Sequence, residues 1–353
     1  MNVTNAFAAT GCQPVRPSRP DFVSHHSFRT NLPGSPAFLK RMGVAVSWIL
    51  LVWTVPCMVH AESLKVICAS RAQAAPVIDG LLDDDCWSKT EGRTDFVSVA
   101  GAKPVPRLTV MRAVYDDENV YLSFELHWED MRILEKGIKS IIEKYGQPKK
   151  EIVPISKFTN RYSLELFIDP GATQSNYYQI LFNAAGQYTG NYRNMWDKFT
   201  AVHDFKSKIH GDRFTAEYVY PAKGLKPGDE WGINIVRNDE SYYAMWRHIS
   251  GAFAQPKLFG RLVIGSYEGW WKAVFEKGTV QRIKEVSGSS DATLSALAKS
   301  TDEKAQSLAE IAKINAPNSR KNFETLYHAY HEFKKNIDRL EVAYKVRKQM
   351  GTP

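Results

Sequence analysis

The stretch that most constrains this chain runs from Arg161 to Gly186, where two alternating runs are separated by a turn. Leu164, Leu166 and Ile168 alternate with Ser163, Glu165, Phe167 and Asp169. This period of two sends one set into a core and the other to the opposite face of a sheet. Asp169-Pro170-Gly171 supplies turn chemistry, since Pro fixes φ and Gly tolerates a positive one. A second run, Tyr177 to Asn183, returns, and Gly186 ends it. The connection is too long for a two-residue hairpin loop, so the pair reads as looped antiparallel strands. Glu165 is the unusual member, a charge placed mid-strand between bulky apolar neighbours.

The same grammar extends in both directions. Leu64 to Ala69 reads as a short strand, Pro76 to Gly80 as a strand-to-turn element, and Arg107 to Tyr115 with Val120 to Trp128 as a hairpin. Tyr188 to Arg193, Phe199 to Lys206, Arg213 to Tyr220, Trp231 to Arg237, Tyr243 to His248 and Leu258 to Ile264 follow as strands. Met131 to Tyr145 breaks the period: Ile133, Leu134, Ile138, Ile141 and Ile142 describe one amphipathic helix inserted between strands. Many short strands with a single helical insert predict a mainly β fold, an antiparallel jelly-roll-like sandwich over residues 62–268.

Residues 269–353 change character and predict a helical C-terminal region. Ser290 or Asp291 is a good N-cap after SGSSD, and Pro317-Asn318-Ser319 restarts a final helix. Leu326, Tyr330, Phe333, Ile337, Leu340 and Tyr344 are spaced alternately four and three, an a/d seam. That seam predicts packing on the preceding helix, on the sandwich, or on a protein partner or second copy.

At the other end, residues 1–41 carry no periodicity and read as a disordered leader or a start codon set too early. Residues 42–61 combine a basic end at Lys40-Arg41, an apolar run and a small-residue site at Val59-His60-Ala61, which together describe a signal peptide. Export to the periplasm or the extracellular space follows as the expectation. Cleavage there leaves Cys68 and Cys86, which form a disulfide in one reading and stay as two buried thiols in the other.

Charge narrows the function classes. The leader holds five basic side chains against one acidic, and the stretch from Trp270 fifteen against ten, so of the +8 overall the β-rich middle keeps −1. A nucleic-acid binder concentrates basic charge on its folded domain, and this middle does not.

A saccharide site needs a flat apolar face for the ring and a few fixed polar groups for its hydroxyls. The loop NYRNMWDKF offers both, with Trp196 beside Asn191, Arg193, Asn194 and Asp197, and Tyr178 is among the available rings. Arg237 at a strand end and Arg112 mid-strand suit either a ligand hydroxyl or neutralisation of Glu165 or Asp169. Trp87 and Trp231 are assigned to the core. Glycosidase chemistry needs two carboxylates about 5–10 Å apart across one bond. Glu165 and Asp169, the pair on one strand face, are separated by roughly 13 Å at strand rise, so the chain is read as non-catalytic. No metal ligand set is assigned; Asp83-Asp84-Asp85 is a candidate calcium contact, though such runs are ordinarily solvated turns.

Taken in order, PVIDGLLDDDCW, AVYDDENVYLSFELHW, SLELFIDP, NYYQILFNAAG, AEYVYP, WGINIVRND and KLFGRLVI resemble the family 9 carbohydrate-binding modules over Val77 to Ile264. The resemblance implies an exported, non-catalytic sandwich that binds a saccharide or polysaccharide. Glu165 matches the acidic ligand residue of the family's central strand, and Phe253 stands where one of its two stacking tryptophans lies. Phe158, Thr159 and Asn160 replace the other tryptophan, and Leu181 replaces an arginine. Related sandwiches carry b-type haem in electron-transfer subunits, which makes His127, His203, His210, His248, Met111, Met195 and Met245 the axial candidates under that alternative. A structural or assembly protein without ligand is the third reading.

Overall fold

In a computed structural model of the chain, residues 64–146, 152–193, 204–239 and 243–351 are described, all within one compact unit, Val59–Pro353. The leader, the signal-like segment and Trp196 lie outside the described residues. The sandwich begins with β1 (Val66–Arg71), a short α1 (Asp85–Ser88) and β2 (Val97–Ser98). It continues through β3 (Thr109–Tyr115), β4 (Asn119–His127), α2 (Met131–Tyr145), β5 (Ser163–Asp169), β6 (Tyr178–Asn183) and β7 (Tyr188–Tyr192). β8 (Asp204–Ile209), β9 (Arg213–Pro221), β10 (Glu230–Asn238), β11 (Tyr243–Met245) and β12 (Gly260–Ile264) complete it.

The strands run in the order β7-β6-β5-β10-β12-β1-β3-β4-β9-β8. β1 makes this one curled sheet rather than two separate ones. Its Val66 to Ala69 pair with β12, and its Ser70 and Arg71 pair with β3. Both of those pairings are parallel, whereas the other ladders among the described residues are antiparallel. The sheet is therefore mixed at β1, a departure from the antiparallel expectation.

Curling brings two inner faces together. Leu164, Leu166, Ile168, Ile180 and Phe182 from one half meet Leu122, Phe124, Phe214 and Tyr218 from the other in a single core. Phe182 lies 5.8 Å from Phe124 and 6.2 Å from Tyr218, ring centre to ring centre, within the range of favourable aromatic pairs. The result is a β-sandwich, as the alternation predicts.

The inserted helix forms where the 3.6-residue period predicts it. Asp130 caps α2 by accepting from the Arg132 backbone N–H at 3.0 Å, and Gly146, at φ 81°, ends it. Met131, Leu134, Ile138 and Ile141 join the inner core, so α2 plugs the sandwich interior. Gly137 packs directly on the Tyr162 ring, which occupies the space a Cβ would need.

The acidic PVIDGLLDDDCW segment is held on the outer face of the other half. Glu217 of β9 accepts from the backbone N–H groups of Asp79 (3.0 Å) and Gly80 (2.7 Å) and from Trp87 Nε1 (2.8 Å). Burial pushes the Glu217 carboxyl above its ordinary range, and these donors oppose the shift.

Beyond β12, α3 (Tyr267–Trp270) runs into π-helical turns over Trp271–Val280, then α4 (Gln281–Ser287), α5 (Ala292–Ile314) and α6 (Arg320–Gln349). Asp291 caps α5 by accepting from the Leu294 N–H at 2.9 Å. The predicted seam is real: Leu326, Tyr330, Phe333, Ile337 and Leu340 are buried, with Tyr344 packed at its end. They share one core with Val66, Cys68 and Val263 of β1 and β12, so the seam is consumed inside the chain. Glu230 of β10 ties the two regions, accepting from Trp270 Nε1 (3.2 Å) and the Tyr327 hydroxyl (3.0 Å).

The disulfide reading is overturned. Cys68 and Cys86 are free thiols. Cys68 faces the helices across β1, while Cys86 sits against the Trp87, Val114 and Tyr121 cluster. Burial pushes the Cys68 thiol well above its usual value and the Cys86 thiol up to about 11, which favours the protonated form of both.

Candidate functional site

Parity along each strand decides what shares a face with Glu165. In register, Glu165 stands opposite Leu181 on β6 and Val236 on β10, and Gln179 stands opposite Asn191 on β7. The outer face of this half-sheet therefore carries Glu165, Gln179 and Asn191 on three neighbouring strands. Their side chains are joined in a row. Gln179 Nε2 donates to Glu165 Oε1, and Asn191 Nδ2 donates to Gln179 Oε1 at 2.6 Å. Glu165 is only 8 % exposed, Asn191 is buried, and Gln179 is the member that reaches solvent.

Burial raises the Glu165 carboxyl above the ordinary glutamate range, while hydrogen bonds from Gln179 and Asn238 favour its charged form. Among the described residues its partners are amides, so the carboxylate is held there by hydrogen bonds rather than by an arginine. Beside the row, on the same face, Phe167, Tyr177 and Phe259 form a ring cluster with Phe253 packed at its margin. Tyr177 meets Phe259 edge-on at 6.1 Å. The row thus lies next to a ring cluster in which Phe167, Tyr177 and Phe259 are buried and Phe253 is half-buried at the surface. Hydrogen-bonding groups beside an apolar face are what a polyhydroxylated ligand requires.

Arg237, Tyr178 and Arg112 lie elsewhere. Arg237 is one residue out of phase with Val236 and points inward, where it is 0 % exposed. It clamps the two halves of the sandwich, pairing with Asp239 at 3.2 Å and donating to Leu108 O (3.0 Å), Thr109 Oγ1 (3.1 Å) and His127 O (2.8 Å). Its guanidinium also covers the Trp128 ring at 4.2 Å. Tyr178 likewise points inward, with Tyr192 at 4.9 Å and Tyr220 at 5.8 Å. Arg112 sits on the outer face of the other half and pairs with Glu125. Neither arginine neutralises Glu165 or Asp169.

Of the residues singled out in the sequence, Glu165, Asn191 and Phe253 thus share one face. Gln179 and Asn238 are the members that sequence reasoning missed. The signal for Gln179 was present: it is the polar position between the inward Tyr178 and Ile180, in phase with the Glu165 row once the register is known.

Asp169 is occupied, capping the turn by accepting from Thr173 N (3.0 Å) and Gln174 N (2.6 Å). Asp84 accepts from Val77 N at 3.0 Å and Asp85 pairs with Lys89 at 2.8 Å, so both side chains serve local structure. The haem candidates are dispersed: Met111 lies in the inner core, Met245 in the outer ring cluster, His210 contacts Thr215 Oγ1 (2.8 Å) and His248 contacts Val99 O (3.2 Å). His203 and Met195 lie outside the described residues.

The fold and face define a β-sandwich with an outward polar row and a helical extension. Among solved structures, the chain is similar to a family 9 carbohydrate-binding module from Caldicellulosiruptor kristjanssonii in complex with cellotriose. The TM-score is 0.41 and the identity 18 %, covering 57 % of this chain and 94 % of that one. The same family's module from that organism in complex with glucose gives 0.40 and 17 %, over 57 % of this chain and 95 % of that one. A Bacteroides uniformis protein provisionally assigned to carbohydrate binding gives 0.41 and 14 %, over 57 % and 100 %. No protein-family model matches the chain, and no curated protein matches it.

Proposed function

We propose that this chain is an exported, non-catalytic carbohydrate-binding protein that holds a saccharide against the Glu165–Gln179–Asn191 row. The observation carrying this reading is the row itself. Three hydrogen-bonding side chains from three adjacent strands are chained across one sheet face, with Gln179 at the solvent boundary and an aromatic cluster alongside. Gln179, at the solvent boundary, meets the ligand hydroxyls, Glu165 and Asn191 orient its amide from beneath, and Phe253 borders the ring. Export rests on the apolar stretch that follows Lys40-Arg41.

A scaffold without ligand is the second reading, favoured by the near-complete burial of Glu165. Calorimetric titration of the mature chain with glucose and cello-oligosaccharides separates the two. Binding that is lost in Gln179→Ala supports the saccharide site. The absence of heat with every neutral saccharide supports the scaffold.

A further inference from the structure

The molecule carries a concave surface that the row does not use. It is a cleft of about 740 Å³ between α2 and the segment leading into β5, within the size range of small-molecule sites. Lys136, Ser140 and Lys144 follow one another at four-residue intervals along one side of α2, and Thr159 and Arg161 stand on the opposing wall. Ile133 and Tyr145 supply its apolar patches. Three cations, two aliphatic hydroxyls and two tyrosines line the cleft, and no carboxylate does among the described residues. Glu143, which precedes Lys144 in α2, lies 4.0 Å from Lys139, a lysine outside the cleft lining.

The cleft is also shaped by a strained position. Tyr162 adopts φ 51°, in the left-handed region, which is costly for a bulky residue and persists only where surrounding structure enforces it. That conformation seats its ring against Gly137, the one helical position with no Cβ to block it. Lys136 and Lys144 are roughly 12 Å apart along the helix axis at 1.5 Å per residue. An extended ligand with repeated negative charges therefore meets both ammonium groups without forcing them together.

We propose that this cleft binds an acidic glycan, a chain of sugars bearing carboxylates or sulfates. Lys136 and Lys144 hold the charges, Ser140 and Thr159 meet sugar hydroxyls, and Tyr145 lies along a ring. The site is separate from the Glu165 row and does not depend on it. Lysine reads its partner as a point charge and serves carboxylate or sulfate alike.

The test is calorimetric titration of the mature chain with oligogalacturonate, chondroitin sulfate, inorganic phosphate and phosphatidylglycerol vesicles, at low and high salt. Binding of either acidic glycan that weakens with salt and falls by about tenfold or more in Lys136→Glu/Lys144→Glu upholds the proposal. Preference between the two glycans identifies the anion. The double variant changes exposed side chains only, and an unchanged melting temperature verifies its fold. Gln179→Ala leaves acidic-glycan binding intact, which separates this site from the row. The proposal is overturned if neither glycan binds, if the double variant binds them as the native chain does, or if the vesicles or phosphate bind more tightly than both glycans.

Discussion

Replacing Arg237 by Met separates a structural clamp from a ligand contact. Met keeps much of the stem volume while removing the charge. In the native chain Arg237 and Asp239 are both fully buried and 3.2 Å apart, and Arg107 reaches the same carboxylate from a position 23 % exposed. Removing one partner of a buried pair costs about 3–5 kcal/mol, because the remaining charge stays buried. The lost bonds to Leu108 O, Thr109 Oγ1 and His127 O belong to the same clamp and are not added again. Leu108 O keeps a second donor in the His127 N–H, and Arg107 still neutralises part of Asp239, which places the expectation near about 4 kcal/mol. Urea unfolding followed by tryptophan fluorescence should show a midpoint lowered by more than about 1 M. Arg112→Met, whose ion pair with Glu125 is partly exposed, should cost only about 1 kcal/mol. An Arg237→Met protein that unfolds with the native midpoint yet loses saccharide binding would refute the clamp.

Glu165→Gln tests the buried carboxylate. Its folded pKa is raised by burial, so ionising it in the native state disfavours folding. The native chain should match the variant below the ordinary glutamate value of about 4.3 and fall behind it as pH climbs through the raised value. Melting curves taken from pH 4 to 8 check this, and a variant that loses ground at high pH contradicts it. Gly137→Ala should lower stability by about 1–3 kcal/mol through overpacking against Tyr162. Gly211→Ala, with open space around it, should be near neutral by the same thermal assay. Leu340→Ala, at a fully buried seam position, should cost about 2–5 kcal/mol and loosen the helical region by circular dichroism.

Much of this architecture is legible in the sequence because its strands and helices obey clean periods. The alternation at Leu164, Leu166 and Ile168 places three side chains in the core, and the 3.6-residue pattern places α2 over Met131–Tyr145. The SGSSD break yields the Asp291 cap. Register is what a single sequence withholds. Arg237, Tyr178 and Glu165 look like neighbours by type, yet one residue of phase turns the first two to the opposite face. The parallel pairing of β1 is equally hidden, because its partners β3 and β12 are distant in the chain and leave no local signal. The cysteines fail as a guide for a related reason: strand faces set where Cys68 points, and spacing alone does not. The α2 cleft emerges only once Gly137 and Tyr162 are seen in contact.

The most direct test of the saccharide reading is nuclear magnetic resonance of the purified protein during titration with cello-oligosaccharides, following the side-chain amide signals of Gln179 and Asn191. Both belong to the row, so both should move together in saturable fashion, and Glu165→Gln should alter the response. Signals that stay fixed at saturating sugar, or shifts confined to other parts of the molecule, would contradict the account.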